Sequence, residues 1–185
     1  MEKLLLAGAG GFGRVVLEHA CRKYDCAFLD DGPLKSVDGV PVIGSIGEME
    51  KFFPEFQMLL VTIGNNGLRE KLYKRAFSIG FVFPNIIQPS AYISPHAHIG
   101  SGCVILNHAV IQNNARCGRG CIINPGAELH QDSTIGNYCL IYTNSVVRSL
   151  ARVGDRVSIG STSTVSTSAV VPADTVIGDG EVFKI

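Results

Sequence analysis

Every sixth residue through the second half of this chain is aliphatic. The series runs Ile93, Ile99, Ile105, Ile111, Cys117, Ile123, Leu129, Ile135, Ile141, Val147, Val153, Ile159, Val165, Val171 and Ile177, and Cys117 is its one departure. Two residues before each member the side chain is mostly small, as at Ala91, Ala97, Cys103, Ala109, Ala115, Cys121, Ala127, Ser133, Cys139, Ser145 and Ala151. An amphipathic helix repeats every 3.6 residues and a strand every two, so neither yields a period of six. A strict repeat of this kind takes precedence over local assignments and indicates a solenoid, in which each turn buries its core only against its neighbours. Glycine follows the aliphatic residue at Gly100, Gly118, Gly136 and Gly154, each three hexads after the last. One turn therefore comprises three hexads, which gives a three-sided parallel β-helix of about five turns. The pattern runs from Ala91 to about Ile177 with no insertion, so no long lid leaves the coil.

Residues 1–85 read differently. Short apolar runs at 4–7, 27–29, 40–43, 58–63 and 81–83 predict strands, and 14–24 and 67–79 predict helices. Alternation of this kind predicts a small, mainly parallel α/β sheet. The chain is thus expected to comprise an α/β domain over 1–85 and a β-helix over 86–185.

Composition narrows the function. Lys+Arg and Asp+Glu are both 16 in 185 residues, so the formal charge is zero and the basic excess of a nucleic-acid binder is absent. Hydrophobic residues make up 46% and charged residues 17%, which excludes a disordered chain and favours self-association. The first residues are too short for the apolar core of a secretory signal, and no run reaches the ~18 apolar residues of a membrane span. The expected compartment is the cytoplasm, where the six cysteines remain thiols. None forms a C-x-x-C pair, and Cys103, Cys121 and Cys139, each three hexads from the next, read as small inward-packing residues in one column.

Gly8-Ala9-Gly10-Gly11-Phe12-Gly13 matches G-x-G-x-x-G between a predicted strand and helix, with Asp30-Asp31 about twenty residues on. Such a loop lets backbone approach a phosphate at a helix N-terminus. Three readings follow: a nicotinamide oxidoreductase, a structural turn, or a cradle for the phosphates of a nucleotide-linked substrate. The oxidoreductase would need a second mononucleotide-binding half, and the α/β stretch over 1–85 is too short to contain one. Among the five histidines, His19 falls on the first predicted helix and reads as structural. His96, His98 and His108 lack metal-ligand spacing, so no metal site is expected. His130 follows inward Leu129 and so faces outward, flanked by Glu128 and Asp132, with Gln112 and Arg148 one coil either side. It reads either as a general base or as a solvated surface histidine.

Gly8–Gly13, Phe28-Leu29-Asp30-Asp31, Thr62-Ile63-Gly64-Asn65-Asn66 and Gln88-Pro89-Ser90-Ala91-Tyr92-Ile93-Ser94-Pro95, followed by hexads, together resemble the sialic acid O-acetyltransferase / nucleotide-sugar N-acetyltransferase family, which includes bacillosamine and perosamine acetyltransferases. The resemblance implies a left-handed coil, a homotrimer, and acetyl-CoA bound in the groove between two coils, with no metal. It implies an acceptor, often a UDP-linked amino sugar, held by Gly10, Gly11, Phe12, Asp30, Asp31 and Gly64. It also implies coenzyme contacts at Gly160 and Ser161. Catalysis would be direct attack on the thioester, assisted by a histidine base and a following acid, here His130 and Asp132. The chain departs from the family pattern in four places. Gln131 stands at the base position, Leu140 at that of a second histidine, and Phe12 at that of the loop histidine, while 179–184 replace the usual ending. The expected function is acetyl transfer from acetyl-CoA to an amino or hydroxyl group of a sugar. The alternative is a catalytically lapsed trimeric nucleotide-sugar-binding protein.

Overall fold

The computed structural model describes residues 1–184 and divides into two compact units, one ending at Ile86 and one starting at Ile87. The first unit runs β1 (Glu2–Ala7), α1 (Gly11–Ala20), β2 (Tyr24–Leu29), β3 (Ser36–Val37), β4 (Val40–Gly44), a 3-10 helix (Ile46–Phe52), β5 (Met58–Val61) and α2 (Asn66–Ile79). The sheet order is β3-β4-β2-β1-β5, parallel except for the β3–β4 pair. Leu4, Leu5 and Leu6 on β1, an interior strand, are fully buried, as a continuous apolar run demands of a strand covered on both faces. From β1 the chain crosses to β2 on one side, while β5 lies on the other. The loops after β1 and β5 therefore flank the point where the strand order reverses, the usual place for a ligand in an open α/β sheet.

Several sequence expectations shift. The first helix starts at Gly11 and ends at Ala20, not 14–24, because the loop glycines themselves open it. β5 stops at Val61, and 81–83 form no strand; Val82 makes only an isolated bridge to Met58. The 3-10 helix was not legible as a 3.6-residue pattern, although Ser45 and Glu48 make a capping box at its start.

The second unit is a triangular parallel β-helix. One face stacks Tyr92–Ile93, Val110–Ile111, Glu128–Leu129, Val146–Val147, Thr164–Val165 and Val182–Phe183. The second stacks His98–Ile99, Arg116–Cys117, Thr134–Ile135, Arg152–Val153 and Val170–Val171. The third carries Val104–Ile105, Ile122–Ile123, Leu140–Ile141, Ser158–Ile159 and Val176–Ile177. Paired residues stand three hexads apart throughout, as in Ile111 to Leu129 to Val147. The aliphatic and small series together form one buried core. The pattern continues one hexad beyond Ile177, with Phe183 packed on that core.

The glycine column and the corners are separate devices. A Cβ on Gly118 would lie 2.5 Å from Gly136 O, and one on Gly136 would lie 2.7 Å from Asp155 N in the next coil. These glycines exist because successive coils touch there. The left-handed residue of each turn comes two positions later. Gly102, His108, Asn114, Gly120, Gly126, Asp132, Tyr138, Asn144, Leu150, Arg156, Thr162, Ser168, Asp174 and Gly180 all have positive φ. For an L-residue that conformation costs about 1–2 kcal/mol, a cost the coil packing offsets at each non-glycine corner.

Candidate active site

Both units carry candidate functional groups. In the first, the loop after β1 is built by close contacts. Gly8 has φ +119°, and a Cβ on Gly13 would lie 2.1 Å from Gly8 O, so α1 packs directly on the turn. Thr62 Oγ1 donates to Gly8 O at 2.6 Å and to Ala7 O at 3.1 Å, tying the β5 end to the β1 end. Gly10 caps α1 without a side-chain bond, and the first turn itself carries no acid. Space beside Gly10, Gly11 and Gly64 is open, whereas Gly8 and Gly13 are enclosed. Phe12 is half-buried on the first turn of α1.

Asp30 and Asp31 have internal work. Asp30 Oδ2 accepts from Ala9 N at 2.7 Å and Oδ1 from Gly32 N at 2.8 Å. Asp31 Oδ1 accepts from Ile46 N at 3.0 Å. Asp30 thus fixes the glycine loop, and Asp31 fixes the start of the 3-10 helix. Sequence reasoning missed Arg69, which is fully buried. Its Nη1 donates to Ile63 O and Gly64 O, both at 3.0 Å, and its Nη2 to Asn66 Oδ1 at 2.8 Å. With Asn65 capping α2 through Leu68 N at 2.9 Å, this guanidinium sets the turn that carries Gly64. The only sequence signal for it is a cation on the inward side of a helix.

In the coil, His130 Nε2 lies 3.0 Å from Glu128 Oε2. Glu128 lies on the strand Glu128–Leu129 and His130 directly follows it, two positions on, where extended backbone turns both side chains to one side. Asp132, by contrast, is a left-handed corner residue with φ 60°, and its Oδ1 accepts from Asn114 Nδ2 at 3.2 Å in the coil below. The carboxylate beside His130 is therefore Glu128, and Asp132 braces a corner. Gln131 is exposed, and its backbone N–H donates to Gln112 Oε1 at 3.2 Å. The tautomer that satisfies Glu128 carries its proton on Nε2 and leaves Nδ1 with a lone pair, the arrangement of an oriented general base.

Gly160 and Ser161 come together in a cleft of about 450 Å³, also lined by Tyr142, Ser158, Val176 and Asp179. A Cβ on Gly160 would lie 2.6 Å from Asp179 N, so the floor there must be glycine. The Ser161 N–H is already committed to Asp179 Oδ1 at 2.7 Å. Tyr142 and Ser158 were not singled out by the sequence, since outward-facing positions carry no periodic signal, whereas Asp179 opens the 179–184 stretch that departs from the family ending.

Residues 3–76 match the model of the PglD N-terminal domain family. Over 115 residues the chain is 31% identical to UDP-N-acetylbacillosamine N-acetyltransferase of Bacillus subtilis (strain 168), an alignment covering 57% of this chain. It spans 52%, about half, of that curated relative's length. A mutant of perosamine N-acetyltransferase from Caulobacter crescentus, solved with CoA and GDP-perosamine, superimposes with a TM-score of 0.95 at 32% identity, covering 100% of this chain and 89% of that one. The acetyltransferase domain of PglB from Neisseria gonorrhoeae FA1090, solved with acetyl coenzyme A, superimposes with a TM-score of 0.92 at 33% identity, covering 97% of this chain and 89% of that one. The fold is thus an α/β unit followed by a left-handed parallel β-helix. Matched along its full length by these acetyltransferases, the chain belongs to the sialic acid O-acetyltransferase / nucleotide-sugar N-acetyltransferase family of hexapeptide-repeat proteins.

Proposed function

We propose that this protein transfers the acetyl group of acetyl-CoA to an amino group of a nucleotide-linked sugar, working as a cytoplasmic homotrimer. The observation that carries this reading is the match along the whole chain to a relative holding both CoA and GDP-perosamine. The open backbone at Gly10, Gly11 and Gly64 suits the acceptor's phosphates, with Phe12 beside them and with Asp30 and Asp31 holding the loop's shape. The cleft over Gly160 and Ser161 suits part of the coenzyme. Low charge content and the flat coil faces support a trimer, and sedimentation at a single chain mass would refute it.

The chemistry needs no metal and no acyl-enzyme intermediate. The acceptor nitrogen attacks the thioester carbonyl carbon while His130 Nδ1 takes its proton, and Glu128 steadies the imidazolium that forms. Collapse of the tetrahedral intermediate breaks the C–S bond. The proton returns from His130 to the departing sulfur, which leaves as CoA thiol. Asp132 contributes through the corner it braces.

Gln131 at the family base position favours a second reading, a nucleotide-sugar-binding protein without turnover. Calorimetry with UDP, paired with a thiol-release assay on acetyl-CoA and UDP-amino sugars, separates the two. Binding with release supports the transferase; binding without release supports the lapsed binder.

A further inference from the structure

Fourteen of the fifteen inward hexad positions from 93 to 177 are aliphatic, and the exception, Cys117, is not isolated. Its sulfur and those of Cys103 and Cys121 all lie within 4.8 Å of one another, and all three residues are buried in the coil core. Cys103 and Cys121 stand one full turn apart in one column, and Cys117 enters from the neighbouring face. Three atoms no more than 4.8 Å apart always admit a point within about 2.8 Å of each (4.8 Å divided by √3). A zinc–thiolate bond is about 2.3 Å, so modest side-chain rotation brings all three sulfurs to bonding distance of one centre. The sulfurs now rest as weak donors, Cys103 to Gly118 O and Cys121 to Gly136 O, each at 3.1 Å.

We propose that Cys103, Cys117 and Cys121 form a three-sulfur site for a trivalent thiophilic centre, arsenous acid and its antimony analogue being the chemical class. Electrostatics selects the valence. Among the described residues no charged side chain is buried in the coil, and an uncompensated buried charge costs several kcal/mol even after relaxation. Three thiolates on a monovalent ion leave two negative charges, and on a divalent ion one. On a trivalent centre they leave none. The reaction is a condensation of neutral partners. Three S–H and three As–O bonds break, three As–S bonds form, and three waters leave, with no change in oxidation state. Soft sulfur ligands match such a centre, and among the described residues no oxygen or imidazole ligand joins the cluster. Access to a stacked core requires transient opening of the coil, so uptake is slow and speeds with warming. The site is independent of acetyl transfer.

The test uses the reduced full-length protein, incubated with excess arsenous acid under gentle warming, desalted, and assayed for arsenic per chain and for sulfur neighbours by X-ray absorption. The expected result is one arsenic per chain with three sulfur neighbours and a raised thermal midpoint. Cys117→Ile supplies the side chain usual at inward positions, and Cys121→Ala one usual at small positions. Both keep the coil's circular dichroism and retain at least tenfold less arsenic, while Cys21→Ser, at an exposed site, retains it fully. Wild-type protein that retains no arsenic, or a folded Cys117→Ile variant that retains as much as wild type, overturns the proposal.

Discussion

His130 Nε2 faces Glu128 Oε2 at 3.0 Å, whereas Asp132, equally near in sequence, accepts from Asn114 Nδ2 through its Oδ1. That division of labour makes the two acids separable. Glu128→Gln removes the charge that stabilises the imidazolium and is expected to lower kcat about tenfold or more, with little effect on KM. Asp132→Asn keeps a residue suited to a left-handed corner and leaves kcat within about twofold. Steady-state acetyl transfer by the two variants checks this, and equal losses would contradict it.

Glycines of the loop after β1 separate in the same way. A methyl on Gly13 meets Gly8 O at 2.1 Å, so Gly13→Ala is expected to destabilise the chain by about 1–3 kcal/mol or more. Gly10 has open space beside it, and Gly10→Ala changes stability by less than about 1 kcal/mol while weakening nucleotide binding. Urea unfolding and UDP titration of both variants measure the two effects.

Much of this architecture could be read from the residues, and what could not has physical causes. The inward columns were legible because burial filters side chains at a fixed period. The corner residues were not, since Leu150, Arg156 and Thr162 share a left-handed φ but no chemistry. The glycine column was legible as a spacing yet not as a cause. Its cause is the approach of the next coil, as at Gly118 against Gly136 O. Glu128 and His130 lie two apart, at and just past a strand, so their meeting follows from alternation, while the turn at 131–132 breaks that alternation for Asp132. The ties of Asp30 to Ala9 N and of Arg69 to the 63–64 carbonyls depend on which loops the sheet order brings together, and no local pattern encodes that.

Leu150 gives a direct measure of corner strain. It holds φ 63° with an exposed side chain. Asn144, at the preceding corner, shows that asparagine fits this conformation, so Leu150→Asn is expected to stabilise the protein by about 0.5–1 kcal/mol. An unchanged or lowered unfolding midpoint would refute this.

His19 makes the first unit sensitive to acid. Its Nδ1 is buried and finds no partner among the described residues. Burial, followed by the nearby Arg22, holds its pKa below the ordinary value, with Glu18 opposing. Between that lowered value and about 6.5 the unfolded chain binds more protons than the folded one, so stability rises with pH across this window. The contribution is complete above about pH 6.5 and is lost as pH falls through the folded value. Urea midpoints of the wild type at pH 7.5 and 5.5 should differ more than those of His19→Leu.

The central claim is that the coil performs acetyl transfer with His130 as its base. The direct measurement is thiol release from acetyl-CoA in the presence of a panel of UDP- and GDP-linked amino sugars, for the wild type and for His130→Ala. The account predicts turnover by the wild type and a fall in kcat of about 10²–10⁴ in the variant, with CoA affinity retained. Equal turnover by wild type and His130→Ala, or none by the wild type with any acceptor it binds, would contradict it.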